Sequence, residues 1–133
     1  MPPLQWKKRL LSFRKALAKL QEAVEMETYS EMENEALVKR FEFTVELSWK
    51  TLQDLFKDKG FLDVIGPKTV AKHAFLHGYI EDDEGWVKML EARNLAAHIY
   101  DEEKIDSISI EIKNRYFPLL KALEERLTKE EAL

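Results

Sequence analysis

The chain has 133 residues, 45% of them apolar and 35% charged, with four glycines, four prolines and no cysteine. Such a length suits one domain that buries its own core, and such a composition is helical; the missing cysteines exclude disulfide frameworks, thiolate nucleophiles and cysteine-type zinc sites. The net charge of −4 speaks against nucleic-acid binding by bulk electrostatics.

In chain order, Trp6, Leu10, Phe13, Leu17, Leu20 and Val24 alternate spacings of four and three, the seam of a bundle helix. Thr28 to Asn34 is turn-prone. A second helical pattern then runs through Leu37, Phe41, Val45, Leu52 and Phe56 to Gly60, a candidate C′ glycine. It also carries Phe43, Leu47 and Trp49 off that stripe, so this helix is expected to be central or to pack against a second copy. Phe61 to Gly66 reads as an apolar connection, too short and isolated to found a sheet. Pro67 suits the first turn of a short helix with Val70, Ala71, Ala74 and Phe75 inward and Gly78 at its end.

Asp82 or Asp83 is expected to cap a fourth helix that buries Trp86, Met89, Leu90 and Ala97. Asp101 caps a fifth, with Glu102 and Glu103 complementing its dipole and a stripe of Ile105, Ile108, Ile112, Tyr116, Leu119, Leu123 and Leu127. Pro118 lies inside that stripe, where its missing N–H predicts a kink near Asn114. Together these elements predict an all-α domain over residues 1–133, an up-and-down four-helix bundle with an additional short helix. No apolar run approaches the roughly 18 residues of a bilayer span, and the first residues lack a signal-peptide core, so no membrane association and a cytoplasmic location are expected.

Charge is unevenly distributed. Residues 1 to 20 carry Lys7, Lys8, Arg9, Arg14, Lys15 and Lys19 without an acid, and residues 21 to 35 carry Glu22, Glu25, Glu27, Glu31, Glu33 and Glu35 without a base. The two readings are solvated helix faces and a docking surface for RNA backbone or an acidic partner.

The residues best suited to chemistry are Arg93, Asn94 and His98, at the end of the fourth helix. Asn94 and His98 are four apart on one face, and Ala96 and Ala97 leave room for a phosphate or a backbone to approach. An arginine that forks onto phosphate and a histidine that exchanges a proton near neutral pH suffice for phosphodiester cleavage without a metal, although the same residues also serve as ion-pair partner and helix cap. On the second helix, Glu42, Glu46 and Lys50 form a stripe; Glu46 is expected to meet Arg93 across the bundle, the alternative being plain surface stabilisation.

The run Arg93-Asn94-Leu95-Ala96-Ala97-His98-Ile99-Tyr100 resembles the signature of HEPN domains of the HepT-like branch. Arg40-Phe41-Glu42-Phe43-Thr44-Val45-Glu46-Leu47-Ser48-Trp49-Lys50 is similar to the second helix of the same families. So is Gly66-Pro67-Lys68-Thr69-Val70 leading to Gly78-Tyr79-Ile80 and Trp86. The resemblance covers about residues 36 to 123 and is nearest to nucleotidyltransferase substrate-binding proteins. It implies a dimer in which two motifs face one cleft able to take RNA or a nucleotide, and a minimal nucleotidyltransferase as partner. In HepT-like toxins the Arg and His cleave RNA without metal, and the transferase neutralises them by adenylylating the Tyr. On that basis Arg93 would stabilise the scissile phosphate, His98 act as general acid or base, Asn94 orient the phosphate or the imidazole, and Tyr100 carry the AMP.

His73 and His77 have a zinc-compatible spacing but no third ligand nearby, and neither metal nor cofactor is expected. Trp6, Trp49 and Trp86 read as core. Gly60, Gly66, Gly78 and Gly85 are followed by Phe, Pro, Tyr and Trp, so the chain lacks the Gly-Ser loop of a nucleotidyltransferase and is not itself that enzyme. Three functions remain: the substrate-binding subunit of a two-component nucleotidyltransferase, a metal-independent endoribonuclease held in check by that transferase, and a dimeric scaffold.

Overall fold

The computed structural model describes residues 5–99 and 101–133, and among them every regular element is helical. Helix α1 spans Gln5–Val24, α2 Glu31–Asp58, α3 Pro67–Leu76, α4 Asp83–Ala96, α5 Glu102–Glu111 and α6 Phe117–Glu131, with a π-helical turn over Ile112–Tyr116 joining the last two. The expected long final helix is therefore one continuous rod with a widened turn.

Helix α2 is the centre, packing against α1, α3, α4, α5 and α6. Leu37, Phe41, Val45 and Leu52 are fully buried along it, as are Thr44, Ser48 and Thr51. The three hydroxyls donate to backbone carbonyls of their own helix, Thr44 to Arg40, Ser48 to Val45 and Thr51 to Leu47, so they enter the core without unmet hydrogen bonds. The helix starts one turn earlier than its apolar pattern. Ser30 and Glu33 form a capping box, Glu33 N–H donating to Ser30 Oγ at 3.1 Å and Ser30 N–H to Glu33 Oε1 at 3.0 Å, which draws Glu31 to Asn34 out of the expected turn. It ends as expected: Gly60, at φ 98°, lets Phe61 N–H reach Phe56 O at 2.9 Å and Gly60 N–H reach Lys57 O at 3.0 Å.

Helix α1 runs antiparallel to α2. Trp6 N–H donates to Asp58 Oδ2 at 3.2 Å, Arg9 Nε pairs with Asp54 Oδ2 at 2.6 Å, and Arg40 Nη1 donates to Lys19 O at 2.7 Å. The six residues of the expected α1 seam face the core, with Val24 half-buried at its end. Asp82 caps α4 and Asp101 caps α5, accepting from Gly85 and Glu103 N–H at 2.9 Å each.

Two expected core positions are corrected. Phe75 is 41% exposed, because α3 is short and buries only Val70, Ala71 and Ala74. In the last helix Leu120 is fully buried and Leu119 only half-buried. The cause is Pro118. It has no N–H for Asn114 O, and the chain answers with a turn in which Phe117 N–H reaches Ile112 O, five residues back. Across the wider turn the stripe runs Ile112, Tyr116 and Leu120, and it then returns to the expected Leu123 and Leu127.

The far end of α6 is tied down by Glu130. It accepts from Lys59 Nζ at 2.9 Å, Tyr79 OH at 3.0 Å and Arg126 Nη1 at 3.3 Å. The bond from Lys59, ahead of those from Tyr79 and Arg126, holds its carboxyl below the ordinary glutamate range despite burial, and the same contact raises the Lys59 ammonium.

Two outcomes are expected. Phe41→Ala, which removes a fully buried ring stacked on Tyr116 at 5.6 Å, lowers stability in urea by about 3–5 kcal/mol. Phe43→Ala, at a position 63% exposed, changes it by no more than about 0.5 kcal/mol. Equal losses would show that α2 is oriented differently. A carboxyl lowered by folding stabilises above its unfolded pKa and loses that contribution as pH falls through the folded pKa. Glu130→Gln is thus expected to melt below wild type at neutral pH, the gap closing in acid; a gap that widens in acid would refute it.

Candidate functional site

Arg93 lies on the inner side of α4, in register with Trp86 and Leu90, and its side chain is only 29% exposed. That register points it at α2. Its Nε stands 3.4 Å from Glu46 Oε2, a contact too poorly aligned to be a hydrogen bond and held by charge; the Nε atom is itself buried. The expected pairing of Glu46 with Arg93 is present. Glu46 is shared, since Trp49 Nε1 donates to its Oε2 at 3.2 Å and Lys50 Nζ lies 3.3 Å from its Oε1. Glu42 leaves the expected stripe: it is buried, with Lys39 Nζ at 3.9 Å.

Beyond Arg93 the helix stops sooner than the motif spacing implies. The α-helical ladder ends at Ala96, and the next turn is tighter, with His98 N–H donating to Leu95 O at 3.0 Å and Ile99 N–H to Ala96 O at 3.4 Å. One expectation changes as a result. Ala97 is exposed and Ala96 buried, the reverse of the predicted face. Asn94 lies within α4 and His98 in the tighter turn that follows it, and both are exposed. Buried Ala96 and half-buried Ile99, which packs on the core, flank His98 and leave it facing outward. Tyr100 lies outside the described residues.

The site thus has two parts. One is a braced cation, Arg93, which pairs with Glu46 and with no other carboxylate among the described residues. The other is an exposed strip of Asn94, Leu95, Ala97 and His98, with Leu95 65% exposed. Braced guanidinium and exposed imidazole are suited to phosphate binding and proton exchange respectively. Within one chain no hydrogen bond joins Arg93 to His98 among the described residues.

Sequence reasoning placed Trp49 in the core, whereas its indole is half-buried and bonded to Glu46; the i, i+3 spacing of the two was the available signal. Trp6 and Trp86 are core residues, 3% and 1% exposed. His73 and His77 lie ring against ring at 4.1 Å, and His73 meets Phe56 at 4.4 Å and Phe61 at 4.6 Å. Burial first, and His77 second, lower the His73 pKa. Among the described residues no third histidine or carboxylate completes a metal-sized group there.

Residues 8–129 match the family described as nucleotidyltransferase substrate binding protein like. A crystal structure of a Thermus thermophilus protein superposes with a TM-score of 0.80 at 32% identity, over 86% of this chain and 98% of that one. A probable ribonuclease HepT of Haemophilus influenzae is 34% identical over 79 residues, 56% of this chain. The matched segment spans about half of that protein, 54% of its length.

A double-mutant cycle on Glu46→Gln and Arg93→Met is expected to give a coupling of about 0.5–1 kcal/mol in chemical denaturation, smaller at high salt, as befits a pair about one-third exposed. Strict additivity at low salt would mean that the two charges do not meet in solution.

Proposed function

Because the chain belongs to the nucleotidyltransferase substrate binding protein like family, we propose that it is the substrate-binding subunit of a two-component nucleotidyltransferase whose catalytic chain is separate. The observation that carries this reading is the held arginine. Arg93 is oriented by Glu46 before any ligand arrives, and a side chain already ordered loses less entropy when it binds phosphate. Asn94 and His98 beside it offer exposed hydrogen-bonding groups to the same substrate. The chain lacks the Gly-Ser loop of the transferase, so the nucleotidyl transfer itself falls to the partner.

In this reading the up-and-down bundle works as a homodimer in the cytoplasm. Met32 on α2 and Leu95 at the end of α4 are 79% and 65% exposed, apolar surface that a second copy would cover. Such a dimer would bring the strips of two chains to one cleft.

A second reading is favoured by the joint presence of Arg93 and His98 in a chain similar to a probable ribonuclease. His98 would take the proton of an RNA 2′-hydroxyl as that oxygen attacks phosphorus. The bond from phosphorus to the 5′-oxygen would then break, the leaving oxygen would take up a proton, and Arg93 would stabilise the charge on the phosphorane. This chemistry uses no cofactor or metal. Tyr100 would be the switch, since AMP added there by the transferase would place negative charge beside the cleft.

The substrate-subunit reading expects the purified protein to leave RNA intact in the presence of chelator and to co-sediment with its transferase. Arg93→Ala should abolish substrate stimulation of transfer while preserving that association. Cleavage in chelator that disappears in His98→Ala would replace the first reading by the second. In that event mass spectrometry after incubation with transferase and ATP should find AMP on wild type and none on Tyr100→Phe.

A further inference from the structure

A second charged surface lies away from the Arg93 pairing. Helices α1 and α2 enclose an open groove of about 510 Å³ lined by Ser12, Lys15, Ala16 and Lys19 from the first and by Lys39, Arg40 and Phe43 from the second. Four cations converge there from two helices, and no carboxylate is among the lining residues. The other N-terminal cations are partly used in the fold: Arg9 pairs with Asp54, and Arg14 with Glu131 at 3.0 Å and Glu124 at 3.7 Å. Lys15 and Lys19 meet no carboxylate within 4.0 Å among the described residues, and they lie four apart, where like charges repel. Arg40 reaches Glu22 only at 3.8 Å, and Lys39 reaches Glu42 only at 3.9 Å. On a chain with net charge −4, this local excess of positive charge is relieved best by an anionic ligand.

The aromatic residue narrows the ligand. Phe43 lines the groove among these cations with 63% of its surface exposed. A ring has no part in binding a bare phosphate or an acidic side chain, whereas cations beside an exposed ring are what a nucleotide strand uses, its phosphates on the lysines and a base on the ring. The groove lies on the same side of α2 as the residue that braces Arg93. Lys39, Phe43, Glu46 and Lys50 fall at i, i+4, i+7 and i+11 on one side of α2, so Phe43 lies about 5 Å along the axis from the residue that braces Arg93.

We propose that the groove between α1 and α2 is a subsite for single-stranded nucleic acid, in which Lys15, Lys19, Lys39 and Arg40 hold backbone phosphates and Phe43 stacks a base. The strand then continues along α2 toward Arg93. This inference rests on the substrate-binding reading above, for which it names a class of acceptor, and it can fail separately.

The test is fluorescence anisotropy of a labelled single-stranded RNA of about twelve nucleotides, titrated with the full chain alone in chelator. Wild type should bind with a log–log salt slope of about −2 to −3, as three or four phosphate contacts give. Lys15→Glu with Lys19→Glu should weaken binding about tenfold or more, and Phe43→Ala about fivefold or more. Lys72→Glu with Lys129→Glu, which alters net charge equally at exposed positions outside the groove, should bind within about twofold of wild type. Glutamine in place of the two groove lysines serves if the reversal fails to fold.

Absence of binding by wild type, or equal loss in the groove and control variants, overturns the proposal. So does competition by polyglutamate as effective as that by RNA, which would make the groove an acidic-protein surface. Conversion of a dimer to a monomer by Phe43→Ala overturns it too, since the ring would then belong to a subunit contact. RNA binding with no transferase association refutes the substrate-subunit reading alone; association with no RNA binding refutes the groove alone.

Discussion

The arrangement of this protein follows from the burial demanded by one helix. Helix α2 carries a broad apolar face along its whole length, and such a face is stable in water only when other helices cover it. The other helices supply the cover, each docking on α2, and the hydroxyls that enter its buried surface are satisfied by its own carbonyls. What the cover leaves open is a polar face that includes Lys39, Phe43, Glu46 and Lys50. Both candidate surfaces are built on that face. Glu46 turns it into a brace for Arg93, and Lys39 and Phe43 turn it into one wall of the basic groove.

The last helix shows how a local covalent constraint is absorbed without loss of packing. Pro118 removes a hydrogen bond that an α-helix needs, yet the rod continues because a π-helical turn accepts one more residue and rotates the following face. Ile112 and Tyr116 within that turn remain buried, and Tyr116 stacks on Phe41 at the middle of α2. Glu130 then secures the end of the rod with three donors drawn from the cap of α2, the segment before α4, and α6 itself.

At the end of α4 the same economy separates two roles within a few residues. Arg93 is inside the α-helical register and so shares the inner face with Trp86 and Leu90, where a carboxylate has to meet it. His98 is beyond the last α-helical residue and therefore escapes the register, standing exposed between a buried alanine and a half-buried isoleucine. The pairing of a braced cation with an exposed imidazole is a consequence of where the helix ends.

The sequence by itself determined the elements and most of the core. Apolar spacing marked every helix, capping residues marked the starts of α4 and α5, Gly60 marked the end of α2, and the resemblance around Arg93 marked the family. These features are local, so they can be read along the chain. Even the early start of α2 was written in Ser30 and Glu33, and the bond between Glu46 and Trp49 in their spacing. Tertiary structure decided the rest, because it depends on which face of one helix meets another. Only packing exchanges Leu119 for Leu120 after the π-turn, exposes Phe75 and Ala97, and uses Arg9 and Arg14 in ion pairs while leaving Lys15 and Lys19 to the groove. Residues 15, 19, 39, 40 and 43 converge because α1 folds back antiparallel on α2, a proximity that no linear pattern of charge contains.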